Sequence, residues 1–239
     1  MPAIPFWTTH TRRPGRWGPA LVNLLPDLLP APLPRAPGVH LVGPLTGDLS
    51  RAGSACDWRG GAERMIVASP GTVFERRARF FRKIIDDFAA HPNWTVVLAS
   101  PRVDPAELGE IPCNIHVRQW IPQTALLRLA DVFVTHCGIN SVHEAITAGV
   151  PMFLAPRSPE QRRTAHRLRQ LGIGVPLPRA GLAEAAEALS SDQAVRSRLD
   201  HLRERALAAR GAERAAEVLL DLADRAYGSS CAPFSFGTR

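Results

Sequence analysis

The stretch WIPQTALLRLADVFVTHCGINSVHEAITAGVPMFLAPRSPEQ, residues 120–161, decides the fold. Within it Val132–Thr135 is a short apolar, β-branched run of the kind that forms a parallel strand buried on both faces. The run stops at His136, and Cys137 and Gly138 supply a turn. A helix is expected over Val142–Ala148, with Asn140 or Ser141 as its cap and Gly149 and Pro151 as its end. A strand that feeds a helix through a glycine turn gathers backbone N–H groups at the positive end of the helix dipole, which makes an anion site. His136, Asn140 and Ser141 would add side-chain donors there, so a phosphate or pyrophosphate is the guest to expect. The same letters also carry a purely structural reading, because Ser141 and Glu144 have the spacing of a capping box that would only satisfy amides at a helix start.

The flanks bear on that choice. Trp120 and Gln123 sit at the end of the alternating run Asn114–Trp120, a strand whose C-terminal edge is where doubly wound sheets bind ligands. A tryptophan there can stack on a flat base, and a glutamine one turn later can reach a ribose hydroxyl, although a core role for Trp120 is the ordinary alternative. Glu160 and Gln161 follow the strand Met152–Ala155 and open another helix at the same edge. A carboxylate beside an amide suits sugar hydroxyls, and it equally suits an ordinary helix start.

W-x-P-Q at Trp120–Gln123, T-H-C-G-x-N-S-x-x-E at Thr135–Glu144, G-V-P-x-x-x-x-P at Gly149–Pro156 and E-Q at Glu160–Gln161 together resemble the nucleotide-sugar signature of family 1 glycosyltransferases. That superfamily includes UDP-glucuronosyltransferases, plant glucosyltransferases of secondary metabolism and bacterial macrolide glycosyltransferases. The His-Cys-Gly form is similar to the plant members, and the short gap between Trp120 and His136 to the bacterial ones. SPGTVF at Ser69–Phe74 resembles the family's S-x-G-[TS] loop that approaches the donor, here with Pro70, which removes one backbone donor.

The resemblance covers roughly residues 39–225 and implies the C-terminal, donor-binding half of a GT-B enzyme. It implies that Trp120 stacks on uracil or thymine while the backbone near Ile121 reads the base edge. Gln123 and Glu144 would hold the ribose. His136, Gly138, Asn140 and Ser141 would meet the diphosphate, with Ser69 and Thr72 on the facing loop, and Glu160 and Gln161 would fix the sugar. The implied reaction is inverting transfer from a UDP- or TDP-sugar to a hydroxyl, with no metal and no other cofactor. The family's general base is a histidine on a Gly-His loop of the acceptor domain. His10 lies in a proline- and arginine-rich stretch without that loop, so no catalytic residue is assigned. Thr164 stands where relatives usually have Asn. The expected reading is a donor-binding domain that is weak or inactive alone, with a split enzyme or a non-catalytic nucleotide-sugar-binding protein as alternatives.

Outward from the motif, strands at Met65–Ser69 and Thr95–Ala99 alternate with an amphipathic helix that carries Phe80, Phe81, Ile84, Ile85 and Phe88 on one face. The alternation continues to Val175 and predicts an α/β, doubly wound Rossmann-like sheet of about six parallel strands. Leu182–Leu189, Ala194–Ala208 and Ala212–Ala226 read as C-terminal packing helices. Residues 1–38, rich in proline, read as a linker or an arm lying on another surface; residues 39–226 as the nucleotide-sugar-binding domain; and residues 227–239 as a tail.

The 239 residues carry a formal charge of +7. Lys83 is the one lysine among 29 basic residues, and the arginines are spread over helices without interleaved aromatics. That pattern argues against nucleic acid as a partner. The expected partners are the nucleotide-sugar and an acceptor-domain chain or a second copy. Cys56, Cys113, Cys137 and Cys231 show no C-x-x-C spacing, which suits a cytoplasmic protein without zinc or disulfides. No apolar run reaches membrane-spanning length. G-x-S-x-G, H-E-x-x-H and G-x-G-x-x-G are all absent.

Overall fold

The computed structural model describes residues 19–29, 38–45, 58–71, 78–100 and 102–227. Two short strands come first: β1 (Ala20–Val22) pairs in parallel with β2 (Val39–Leu41). The main sheet begins with β3 (Arg64–Ser69), followed by helix α1 (Ala78–Phe88), β4 (Trp94–Ala99), β5 (Ile115–Arg118), α2 (Gln123–Leu127), β6 (Val132–Thr135), α3 (Ile139–Ala148), β7 (Met152–Leu154), α4 (Pro159–Gln170) and β8 (Gly174–Pro176). Three helices close the chain: α5 (Leu182–Ser191), α6 (Gln193–Ala208) and α7 (Gly211–Tyr227).

The order across the main sheet is β5-β4-β3-β6-β7-β8, every neighbouring pair parallel. β4 and β6 are buried at every position, as strands covered on both faces must be, and their sequences WTVVLA and VFVT carry the matching continuous apolar run. The five apolar residues expected on one face of α1 are all buried. Helix α1 packs on α5, and α3 packs on α2 and α6. The right-handed crossover that parallel strands adopt, applied to this strand order, assigns these two groups to opposite faces of the sheet.

The strand order reverses between β3 and β6. Their C-terminal ends lie side by side, with Ser69 opposite Thr135. An open parallel sheet leaves a crevice at such a reversal, because the connections leave toward opposite faces there.

Residues 19–29, read from sequence as part of a linker or arm, lie against this same domain as a strap. Leu25 is 1% exposed and belongs to the core with Leu28. Three polar ties reinforce that burial: the Leu25 N–H donates to His143 on α3, Arg167 of α4 donates to the Asp27 carbonyl, and Arg205 of α6 pairs with the Asp27 carboxylate. Beside the strap, Pro44 lies so close to Gly211 that any side chain at 211 would strike the Pro44 carbonyl, 2.1 Å from where a Cβ would stand.

Candidate functional site

Ser69 ends β3, Pro70 and Gly71 follow it, and His136 follows β6, on the two sides of the crevice. The His136 imidazole fills the space between two glycines. A Cβ at Gly71 would lie 2.8 Å from its Cε1 and Nε2, and a Cβ at Gly138 would lie 2.4 Å from Nε2. Its Nδ1 is 3.4 Å from the Ser69 carbonyl, which can only accept, so the proton belongs on Nδ1 and Nε2 is left on the Gly138 side. Burial lowers the His136 pKa, and the Ser69 carbonyl opposes that shift.

Cys137 takes a left-handed backbone, φ 67°, which β-carbon sterics disfavour. Its N–H donates to the Thr135 hydroxyl at 3.1 Å, and the residue is 1% exposed. Burial pushes its thiol up to about 12, against a weaker opposite pull from the Ala155 backbone. A thiol so held is no nucleophile near neutral pH. The turn aims the chain into α3, which starts at Ile139, three residues earlier than its sequence suggested, with Gly138 as the N-cap and no side chain capping it.

That start overturns the structural reading of Ser141 and Glu144. Both side chains turn instead toward the start of α2. Gln123 Nε2 donates to Ser141 Oγ at 3.2 Å and to Glu144 Oε2 at 2.5 Å, while Thr124 Oγ1 donates to Glu144 Oε1 at 3.3 Å. The first amides of α3 are therefore left for another acceptor, at the positive end of the helix. Asn140, exposed in that first turn, accepts a hydrogen bond from Asn23 of the strap at 3.3 Å.

A capping box does form, at the next helix. Ser158 Oγ accepts from the Gln161 N–H at 3.2 Å, and Gln161 Oε1 accepts from the N–H of Ser158 at 3.1 Å and of Arg157 at 2.7 Å. Gln161, 7% exposed, thus has its oxygen engaged, leaving Nε2 for a ligand. Glu160 stands exposed in the same first turn. Trp120 is 76% exposed at the end of β5, whereas the adjacent Ile121 is buried and anchors the loop.

The structure thus brings Gln123, Ser141 and Glu144 together by hydrogen bonds, and Ser69, Gly71, His136 and Gly138 by contact across the reversal. Trp120, Glu160 and Gln161 stand at the same edge of the sheet without a hydrogen bond to either group. Thr72 lies outside the described residues. Among those residues no cluster of three or more His, Cys, Asp or Glu could hold a metal ion, and no helix is long and apolar enough to cross a membrane.

Sequence reading missed Thr124, Thr135, Asn23 and His143. Asn23 did leave a signal, as the one polar residue inside the apolar run Ala20–Leu25. His143 is 1% exposed, its Nε2 accepts from Leu25 and its buried Nδ1 has no partner; burial pushes its pKa down to about 4.

Residues 17–196 match the profile of the family described as UDP-glucoronosyl and UDP-glucosyl transferase. Among curated proteins, the chain is 39% identical over 158 residues to the NDP-glycosyltransferase YjiC of Bacillus subtilis (strain 168), covering 64% of this chain and 40% of that protein. It is 36% identical over 186 residues to the oleandomycin glycosyltransferase of Streptomyces antibioticus, covering 74% and 43%. Among solved structures, the calicheamicin glycosyltransferase CalG4 superposes with a TM-score of 0.73 at 31% identity, over 88% of this chain and 55% of the other. The chain spans less than half the length of these curated relatives.

Proposed function

This chain belongs to the UDP-glucoronosyl and UDP-glucosyl transferase family, and from that premise we propose that it is the donor-binding part of a glycosyltransferase. It would hold a UDP- or TDP-sugar for inverting transfer to a hydroxyl of a small-molecule acceptor. One observation carries this reading: the uncapped start of α3, with His136 set between Gly71 and Gly138 beside it, opens where the strand order reverses.

In this proposal the diphosphate sits on the first amides of α3, with His136, Asn140 and Ser141 around it. Gln123 and Glu144, already bonded to each other, present their remaining oxygen lone pairs to the ribose hydroxyls. The exposed Trp120 offers a face for the base to stack on, and buried Ile121 holds the backbone that would read its edge. Glu160 and the Nε2 of Gln161 are the groups left for sugar hydroxyls. When the glycosidic bond breaks, negative charge collects on the departing diphosphate. Amides fixed in place beforehand lower the energy of that state without reorganising. The acceptor hydroxyl attacks the anomeric carbon from the opposite face, and a base of the acceptor domain takes its proton.

Thermal melting with UDP, TDP and their sugars tests the donor site. A ligand at a hundred times its Kd adds about 2.7 kcal/mol of stability, which raises the melting point by several degrees. No shift with any of them at millimolar concentration would sink the proposal. The alternative reading is a chain that binds a nucleotide-sugar without turning it over. Donor hydrolysis or transfer on adding an acceptor domain of a relative would exclude that second reading.

A further inference from the structure

We propose that Asn23, on the strap, is a positioning residue that decides which end of the Asn140 carboxamide meets the diphosphate; the inference rests on the donor-site reading above. Leu45 N–H can only donate, and it points at Asn23 Oδ1 at 3.0 Å. That contact fixes the oxygen end of the Asn23 amide and turns its Nδ2 the other way, 3.3 Å from Asn140 Oδ1. A donor faces Asn140 at that point, so Asn140 has to answer with its oxygen. Its own Nδ2 protons are thereby directed away from the strap, as donors in the first turn of α3. One main-chain N–H orients two side-chain amides in series, with no charged group involved.

The orientation matters because the two ends of a carboxamide are opposite in sign. With Nδ2 outward, Asn140 adds a donor to the α3 amides; with Oδ1 outward, it would set a lone pair against a phosphate oxygen. The terminal torsion of an asparagine is broad and nearly two-fold, so nothing intrinsic to residue 140 chooses between them. Apart from Asn23, the strap is fastened by buried Leu25, by the Leu25 bond to His143 and by both contacts to Asp27. The single polar side chain inside ALVNLL is thus explained by what it does to Asn140.

The test is calorimetric titration of the full chain with UDP and, as a probe lacking phosphate, with uridine. Asn23→Asp keeps the acceptor for Leu45 but replaces the donor by a second acceptor, which forces the Asn140 amide to turn over. The expected result is a loss of about tenfold in UDP affinity for both Asn23→Asp and Asn140→Ala, the size of one hydrogen bond to a charged group, with uridine affinity unchanged. The double variant is expected to bind UDP no worse than Asn140→Ala alone, because Asn23 acts through Asn140. Wild-type UDP affinity in Asn23→Asp would overturn the inference. So would an equal further loss in the Asn140→Ala background, the signature of direct repulsion by the new carboxylate. Asn23→Ala supplies a neutral control: it frees Asn140 to turn either way, and a loss of about threefold that vanishes in the Asn140→Ala background is expected. A wild-type chain silent to UDP is a different outcome, which sinks the donor-site reading and this inference with it.

Discussion

His143 shows how one buried imidazole ties stability to pH. Its Nε2 must stay unprotonated to accept the Leu25 N–H, and protonation would place two donors face to face inside the core. Its pKa, pushed down to about 4 by burial, lies below the ordinary 6.5 that it regains on unfolding. Between those values the unfolded chain binds more protons than the folded one, so stability is full above pH 6.5 and is lost as pH falls toward 4. At pH 5 the loss from this residue is about 2 kcal/mol relative to pH 7. Urea unfolding at the two pH values checks it. His143→Gln, which keeps an acceptor and cannot charge, is expected to remove most of the difference, and an unchanged pH slope in that variant would refute the assignment.

Between β6 and α3 a three-residue passage, His136 to Gly138, does two jobs, turning the chain and packing a ring against glycines. Gly138→Ala would set a methyl 2.4 Å from His136 Nε2, and on the other side the ring already packs so close to Gly71 that a Cβ there would lie 2.8 Å from it. UDP affinity is expected to fall at least about tenfold on displacement of His136, on the scale of a lost hydrogen bond to a charged group. The melting point should move by only a few degrees, since the sheet is untouched. Normal UDP binding by this variant would detach His136 from the site.

The same elements show what the letters could and could not say. Val132–Thr135 was legible as a strand to the residue because a strand covered on both faces needs an unbroken apolar run. The cap of α3 was not. Both Ser141-x-x-Glu144 and Ser158-x-x-Gln161 have capping-box spacing, but only the second forms one, and the deciding partner of the first, Gln123, is 18 residues upstream of Ser141. A motif read along the chain cannot see a competitor that arrives from another element.

For the molecule as a whole, the alternation of strands and helices conveyed the doubly wound sheet, and Rossmann-like connection rules conveyed where its crevice opens. The strap escaped that reasoning. Its strand is three residues long, proline follows soon after, and the pairing of Ala20–Val22 depends on a partner, Val39–Leu41, that has no strand signal by itself. What the strap contributes is tertiary: Leu25 and Leu28 in the core, an ion pair to α6, and Asn23 reaching both Leu45 and Asn140.

The close seat of Pro44 against Gly211, together with the β1–β2 pair and buried Leu25, holds residues 19–29 and 38–45 to the domain by contacts of their own, apart from the peptide bonds that follow. The protein should therefore behave as two complementing fragments. Cleavage at an engineered site between residues 46 and 57 is expected to leave both pieces co-eluting in native gel filtration and separating only in denaturant. Gly211→Ala, which drives a methyl into the Pro44 carbonyl, should loosen that association, and pieces that part at once in native buffer would show that the chain's continuity, not its packing, keeps the strap in place.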